Sequence, residues 1–418
     1  MATPNRRRAG QEAGPLAVTV VHGTYARGRL FATSRPWFGP ASDWWFRPGS
    51  KFRVALEASL LGEGREANVQ EHDWSGANTI AARAQAAKAL TEAVAARHRG
   101  NPADEQVLVA HSHGGNVAMR AADALHELGI RVRVVTLATP YLRVAQRSAG
   151  WPHFTLFLLC MPLFVWPLAA LDVLLAENVP GWSSLNVGGL LAYGALYLLV
   201  MPWFSWMEGR RKRLVEAVNF NAVRSGRVLV LRGFVDEATL ALAFGAIGAE
   251  LMHFLLIVLT FPVRLGASVL AGASSRVGRP LARRVFGTAA ESVVEGVLPW
   301  LMFAGFVSVV GLLISVIAPV GGAGGAGGRP AFAWYILPLI GLSLLTLSGA
   351  AFALHGRELF LHALGLMVTA DSVPDSLGKL DVVTLDLEAA RVAGLRHGLF
   401  NHPDCASLVA RWICHGRL

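Results

Sequence analysis

Four almost uninterrupted apolar runs constrain this chain more than any other feature of its sequence: Phe154–Ala176, Val187–Met207, Val297–Val320 and Phe332–Leu354. Each has about 20 residues or slightly more, enough for a helix to cross about 30 Å of hydrocarbon. The chain is 53% hydrophobic and only 16% charged, against roughly 25% charged residues in soluble proteins. The runs therefore predict transmembrane hairpins at 151–209 and 297–356, with a buried helical subdomain of a soluble protein as the alternative.

The rest of the sequence has a different character. From Leu16 to Tyr141, short β-branched runs alternate with helical patterns, as in "LAVTVVHG", "TIAARAQAAKALTEAVAARH" and "RVRVVTLATP". Strand character returns in "RVLVLRGF" and "LDVVTLDL", and the amphipathic "HPDCASLVARWICHG" closes the chain. Alternating strands and helices predict an α/β fold with a mostly parallel sheet. The predicted domain has three parts, at 16–150, 210–239 and 357–418, and follows a disordered basic tail at 1–15.

The three α/β parts must lie on one side of the membrane, so each insertion between them must cross an even number of times. A single crossing by Leu240–Leu265 would break this parity. The segment 240–296 is therefore expected to lie along the interface or to pack on the α/β domain. Basic residues such as Arg210, Arg211 and Arg213 flank the α/β side, whereas Arg329 is alone on the hairpin tips. The positive-inside rule predicts an integral protein of the inner or plasma membrane with a cytoplasmic α/β domain.

The net charge of +10 could also indicate nucleic-acid binding. Because the basic residues cluster beside the apolar runs, we attribute the charge to membrane flanks and expect no nucleic-acid partner. Three cysteines, Cys160, Cys405 and Cys414, form no spaced metal-binding or disulfide pattern.

The stretch "QVLVAHSHGGNVAMR" carries the strongest chemical signal in the chain. It fits the pattern G-x-S-x-G with Ala110 in place of the first glycine and Gly114 in the last position. That pattern makes a sharp turn between a strand and a helix that exposes a nucleophilic serine. Here a strand pattern precedes Ser112 and a helix pattern follows it. Ser112 is the predicted nucleophile, and an ordinary small-residue turn is the alternative.

A nucleophilic serine needs a histidine base oriented by a carboxylate. Asp236 follows the late strand "RVLVLRG", with Glu237 as the neighbouring alternative and a helix N-cap as another role for Asp236. After the last strand the sequence offers His397 and His402, of which His397 is preferred because His402 precedes Pro403 at the entry to the final helix.

The oxyanion of an acyl-transfer reaction needs preorganised donors. The backbone N–H of His113, the residue after the nucleophile, is one predicted donor. The second is expected from the loop "VVHGTYARG", where Thr24 is preferred and His22 and Gly23 shape the turn. His22, His111 and His113 could also suggest a metal site, but the directions of the side chains flanking Ser112 are expected to diverge.

Taken together, "VVHGTYA", "HDWSGAN", "VLVAHSHGGNVA", "TLATPYL", "VLVLRGFVDEA" and "LRHGLFNHPDC" resemble, in order, segments of the α/β-hydrolase esterase and lipase superfamily. The resemblance covers about half of the chain. It implies a Ser112–His397–Asp236 triad, an acyl-enzyme intermediate, an oxyanion hole at Thr24 and His113, and no metal or organic cofactor. Ala110 and the two apolar insertions depart from a simple soluble member.

The sequence therefore predicts a membrane-anchored serine hydrolase that cleaves an ester or lipid substrate at the bilayer, without specifying an oligomeric state. A catalytically inactive hydrolase-fold scaffold in the membrane is the alternative, because a fold alone does not give a function.

Overall fold

The computed structural model describes residues 14–24, 44–147, 178, 202, 205–219, 227–234, 236, 239–258, 261, 340, 343–344, 346–362, 365–374, 379–386 and 397–417. The strands in these residues are β1 (Leu16–Val21), β2 (Ala67–His72), β3 (Glu105–His111), β4 (Val132–Leu137), β5 (Tyr141–Gln146), β6 (Arg227–Gly233), β7 (Leu366–Asp371) and β8 (Lys379–Leu385). The helices are α1 (Lys51–Gly62), α2 (Ile80–Gly100), α3 (His113–Glu127), α4 (205–218), α5 (Thr239–Val258), α6 (346–353) and α7 (Cys405–His415). Short 3₁₀ helices lie at Arg357–His362 and Leu399–Asn401.

Six strands form one sheet in the order β2-β1-β3-β4-β6-β8. Each neighbouring pair in it is parallel. The central strands β1, β3 and β4 are buried along almost their whole length. Such continuous burial is typical of parallel strands covered by helices on both faces. The predicted α/β fold with a parallel sheet is confirmed.

Two helical layers cover the sheet. Alternate side chains of β3 point to opposite faces, as in any strand. Val107 and Val109 pack with α1 and α7, where Trp412 is completely buried. Leu108 and Ala110 pack with α2 and α3. The core is therefore two apolar layers, one on each side of the sheet.

A second, two-stranded sheet was not predicted from the sequence. In it β5 pairs antiparallel with β7, from Tyr141 opposite Asp371 to Gln146 opposite Leu366. A third apolar cluster joins this ribbon to the start of α2 and to helices α4, α5 and α6. This ribbon brings together strands that are more than 200 residues apart in the chain, so no local sequence pattern predicts their pairing.

Two compact units divide the chain: one comprises Met1–Arg147, Ser205–Ala249 and Gly349–Leu418, and the other comprises Ser148–Phe204 and Glu250–Ser348. The parallel sheet and the site described below belong to the first unit.

The predicted spans at Phe154–Ala176 and Val297–Val320 lie outside the described residues, as do most of Val187–Met207 and about half of Phe332–Leu354. Where the structure does describe the end of the fourth run, Phe352 is completely buried in the third apolar cluster of the α/β unit. The end of this predicted span therefore packs on the α/β unit, and its place in a membrane stays a prediction. An apolar stretch has the same sequence pattern whether it faces lipid or a protein core.

Among the described residues, α5 is the helix that is long and apolar enough to cross a membrane, a test that a core helix of a soluble protein can also pass. It begins the segment that was expected to lie at the interface. Leu242 and Ala249 are buried, whereas Phe244 and Ile247 are 68% and 64% exposed. The helix therefore has one packed side and one apolar side that faces away from the described residues.

Candidate active site

Ser112 is the single residue between β3 and α3, and its backbone has φ 54° and ψ −137°. A positive φ is uncommon for a residue with a Cβ and marks a strained position that its surroundings must hold. The Ser112 N–H donates to the carbonyl of Leu137 at the end of β4 (2.9 Å), and the Gly115 N–H donates back to the Ser112 carbonyl (2.9 Å). Ser112 is thus fixed in a tight strand-to-helix turn.

Small residues around Ser112 allow the turn to pass close to its neighbours. A Cβ on Gly114 would overlap the carbonyl of His22, and one on Gly115 would overlap the side chain of Thr139. Ala110, which stands where the motif has glycine, is fully buried on the α2–α3 face of β3. The sheet therefore accommodates a methyl group at this position.

The loop after β1 lies directly against the turn. A Cβ on Gly23 would lie 2.7 Å from Ser112 Cβ and 3.2 Å from Ser112 Oγ. Thr24, which is half-buried, is the next residue. This close approach places the loop that contains Thr24 next to Ser112, and His113, the other predicted oxyanion donor, follows Ser112 in the chain. The N–H of His113 is also among the first donors of α3, which have no acceptor within their own helix.

His22 holds this loop in place. Its Nδ1 donates to the carbonyl of Gly23 (2.9 Å), and its Nε2 lies 3.4 Å from the Trp74 N–H and 3.3 Å from Asp73 Oδ1. The Trp74 indole N–H donates to the His22 carbonyl (2.8 Å), and the two rings are stacked. Asp73 and Trp74 were not predicted to take part, although the quoted segment "HDWSGAN" contains both.

His397 and Asp236, 161 residues apart, form a direct pair. The distance between His397 Nδ1 and Asp236 Oδ1 is 2.9 Å, and both side chains are mostly shielded from solvent. This contact orients the imidazole through its Nδ1 nitrogen. His402 instead makes a local contact with the N–H of Asp404 (3.2 Å). Glu237 lies outside the described residues.

Asp236 also caps helix α5. Its Oδ1 accepts from the Thr239 N–H (3.4 Å), its Oδ2 accepts from the Thr239 hydroxyl (3.1 Å), and its carbonyl accepts from the Leu240 N–H. A side chain that accepts from the N–H three residues on is the N-cap pattern. Pairing with His397 and helix capping had been posed as alternatives, and one carboxylate does both. Thr239 was missed as a partner of this carboxylate.

The three histidines near Ser112 each have another partner. His22 bonds within its loop, His111 Nε2 lies 2.9 Å from the carbonyl of His397, and His113 Nδ1 lies 3.4 Å from Asn116 Nδ2. Burial, followed by the nearby charge of Arg83, holds the pKa of His113 well below its ordinary value. His113 is therefore neutral at physiological pH.

The carboxyl ends of β1, β3, β6 and β8 lie at the same edge of the parallel sheet. The residues that follow them include Thr24, Ser112, Asp236 and His397. A parallel α/β sheet binds its ligands beyond the carboxyl ends of its strands. The fold and the site therefore define an α/β protein with a strained serine and a histidine–carboxylate pair at the ligand-binding edge.

No known family model matches the chain, and no curated protein matches it. Solved structures that it is similar to include an extracellular α/β-hydrolase from a Paenibacillus species that shares structural and functional homology with tobacco salicylic acid binding protein 2 (15% identity, TM-score 0.18). That match covers 34% of this chain and 46% of the Paenibacillus chain, so this chain spans less than half of that protein's length.

The RedJ thioesterase of the prodiginine pathway in Streptomyces coelicolor is also similar, at 16% identity and a TM-score of 0.23, over 55% of this chain and 78% of RedJ. A structure of RedJ with a PEG molecule in its active site matches over 56% of this chain and 79% of RedJ, with a TM-score of 0.24. At these scores the assignment of the fold depends on the strand order and register given above.

Proposed function

We propose that this chain is a serine hydrolase that cleaves acyl esters, with Ser112 as nucleophile, His397 as general base and Asp236 as the orienting acid. One observation carries the proposal: a serine with φ 54° directly follows β3, and the His397–Asp236 pair, at 2.9 Å, lies beyond β6 and β8 of the same sheet. Strain at a non-glycine residue persists only where the surroundings enforce it, and such residues cluster at active sites.

In the proposed reaction, His397 Nε2 takes the proton from Ser112 Oγ as that oxygen bonds to the ester carbonyl carbon. The carbonyl oxygen becomes an oxyanion that the backbone N–H groups of Thr24 and His113 stabilise. His397 then gives its proton to the leaving alkoxide, which departs as an alcohol. A water molecule, deprotonated by His397, attacks the acyl-enzyme, and the carboxylic acid leaves as Ser112 regains its proton.

We propose further that the substrate is amphiphilic and that the protein works at a bilayer. The support is the position of Asp236 at the N-terminus of α5, the helix whose apolar side chains are exposed. An acid that caps this helix puts the reaction next to a surface that suits acyl chains. Trp206, which is half exposed on α4 and stacks with Arg210 (4.9 Å), is typical of a membrane–water interface. The α/β domain is proposed to face the cytoplasm.

Fluorophosphonate labelling tests the chemistry. Wild-type protein should be labelled, Ser112→Ala should not, and His397→Ala should be labelled roughly 10²- to 10⁴-fold more slowly, because it lacks the general base. Ser407→Ala is the matched control, because Ser407 lies on α7 and its hydroxyl donates to the backbone carbonyl of Asp404 (3.0 Å). Folded wild-type protein that fails to react, or Ser112→Ala that reacts like wild type, would contradict the proposal and favour a membrane scaffold.

A further inference from the structure

His111 is the last residue of β3, immediately before Ser112, and only 8% of it is exposed. Its Nε2 lies 2.9 Å from the backbone carbonyl oxygen of His397, and the two rings are 4.7 Å apart. A carbonyl oxygen can only accept a hydrogen bond, so Nε2 of His111 carries the hydrogen and donates it. The strand that ends at the nucleophile is thereby bonded directly to the main chain of the predicted base.

Two aromatic side chains fix the orientation of the His111 ring. Trp45 and Phe400 each meet it at a steep angle, with centroids 5.7 and 5.0 Å away, and they stack on each other at 5.4 Å. Phe400 belongs to the 3₁₀ helix that begins two residues after His397. The ring therefore sits in an aromatic box, and one wall of that box comes from the segment that His111 holds.

The Nε2–H group of His111 remains a hydrogen-bond donor at physiological pH. Burial, followed by the charge of nearby His397, lowers the pKa of His111 to about 3. His111 stays neutral when His397 gains a proton, so the two rings do not compete for it. Because the His111 ring is neutral and carries its hydrogen on Nε2, it makes the same bond before and after His397 gains its proton.

We propose that His111 is a positioning residue that sets the distance between the base and the nucleophile. The inference rests on the proposed hydrolase function. His397 is held at two points: its side chain by Asp236 beyond β6 (2.9 Å) and its main chain by His111 at the end of β3 (2.9 Å). Asp236 fixes the direction of the imidazole, and the bond from His111 fixes how far the ring stands from Ser112.

Three variants separate the hydrogen bond from the packing. His111→Phe keeps a ring but has no donor, His111→Gln keeps an N–H donor at similar reach, and His111→Asn has the same amide on a shorter side chain. The rate of fluorophosphonate labelling, and kcat and KM on a p-nitrophenyl ester, are measured together with thermal unfolding. His98→Phe is the matched control, since His98 is a half-buried histidine at the end of α2.

We expect kcat and the labelling rate to fall on the order of 10- to 100-fold in His111→Phe and His111→Asn. KM should change little, because the bond orients the base and does not touch the substrate. His111→Gln should recover most of the rate. A packing role would instead make Phe the mildest change. The Gln and Asn pair keeps the test informative if the Phe variant does not fold.

Two outcomes would overturn the inference alone: a wild-type rate in folded His111→Phe, or equal losses in folded His111→Gln and His111→Asn. In both cases wild-type protein still reacts and Ser112→Ala does not, so the hydrolase function stands. If wild-type protein does not react at all, the proposed function and this inference fail together.

Discussion

At the scale of single residues, the site depends on places where the backbone passes so close to its neighbours that a side chain larger than that of glycine would not fit. Gly23 is the clearest case, because a Cβ there would lie 2.7 Å from Ser112 Cβ and 3.0 Å from the His111 carbonyl oxygen. The sequence supplied the identity of this residue, within "VVHGTYA", but only the folded chain reveals what it faces.

Gly23→Ala should therefore push the loop after β1 away from Ser112 and misplace the N–H of Thr24. We expect the fluorophosphonate labelling rate to fall about 10²-fold, as a misplacement of about 1 Å can cause. Gly62→Ala is the control, because a Cβ on Gly62 meets no atom within 4 Å. Equal rates for these two variants would show that the loop does not contribute to the reaction.

At the scale of elements, the start of α2 is held by a segment from the far end of the chain. The Glu358 carboxylate accepts from the backbone N–H groups of Ile80 (2.9 Å) and Ala81 (3.0 Å). The side-chain amide of Asn78, just before α2, donates to the backbone carbonyls of Ala353 and Leu354. A negative charge at a helix N-terminus satisfies donors that have no partner in the helix and complements its dipole. These hydrogen bonds therefore join the start of α2 to residues about 280 positions further along the chain.

Glu358→Ala should destabilise the α/β unit by about 1–2 kcal/mol, the usual size of a lost helix cap. Glu358→Gln, which keeps an acceptor but loses the charge, should lie between wild type and Ala. Thermal unfolding measures both. Glu92→Ala, on the exposed surface of the same helix, should change the unfolding temperature by less than either. If Glu358→Ala unfolds at the wild-type temperature, the cap contributes nothing to stability.

At the scale of the whole molecule, the proposed membrane location can be tested in two ways. The full chain, expressed in cells, should stay with the membranes after an alkaline carbonate wash, because the predicted spans would hold it in the bilayer. Extraction into the soluble fraction would contradict this.

The second test concerns α5. A photoreactive residue introduced as Phe244→benzoylphenylalanine should cross-link to lipid tails in reconstituted vesicles, because this side chain is 68% exposed on the apolar side of α5. Leu61→benzoylphenylalanine is the matched control: Leu61 is 67% exposed but lies on α1, beside the charged residues of that helix. Equal cross-linking at both positions would show that α5 is not a preferred lipid contact.

The sequence by itself determined the features that depend on local chemistry. Alternating patterns predicted the parallel α/β sheet, because the periods of strands and helices are visible in windows of about 11–18 residues. The stretch around Ser112 predicted a strand, a turn and a helix, which the structure contains. The order of segments also singled out Asp236 and His397 as a pair, although their catalytic roles remain proposals.

Only the tertiary structure decided what depends on distance through space. It joined β5 to β7, packed Phe352 into the third apolar cluster, and let Asp236 bond His397 and cap α5 at once. It also set His111 against the main chain of His397. These contacts link residues that are far apart in the chain, and their free energy exists only when both partners are held in place. A pattern of residue types records which groups are available, and the packing of the whole chain determines which of them meet.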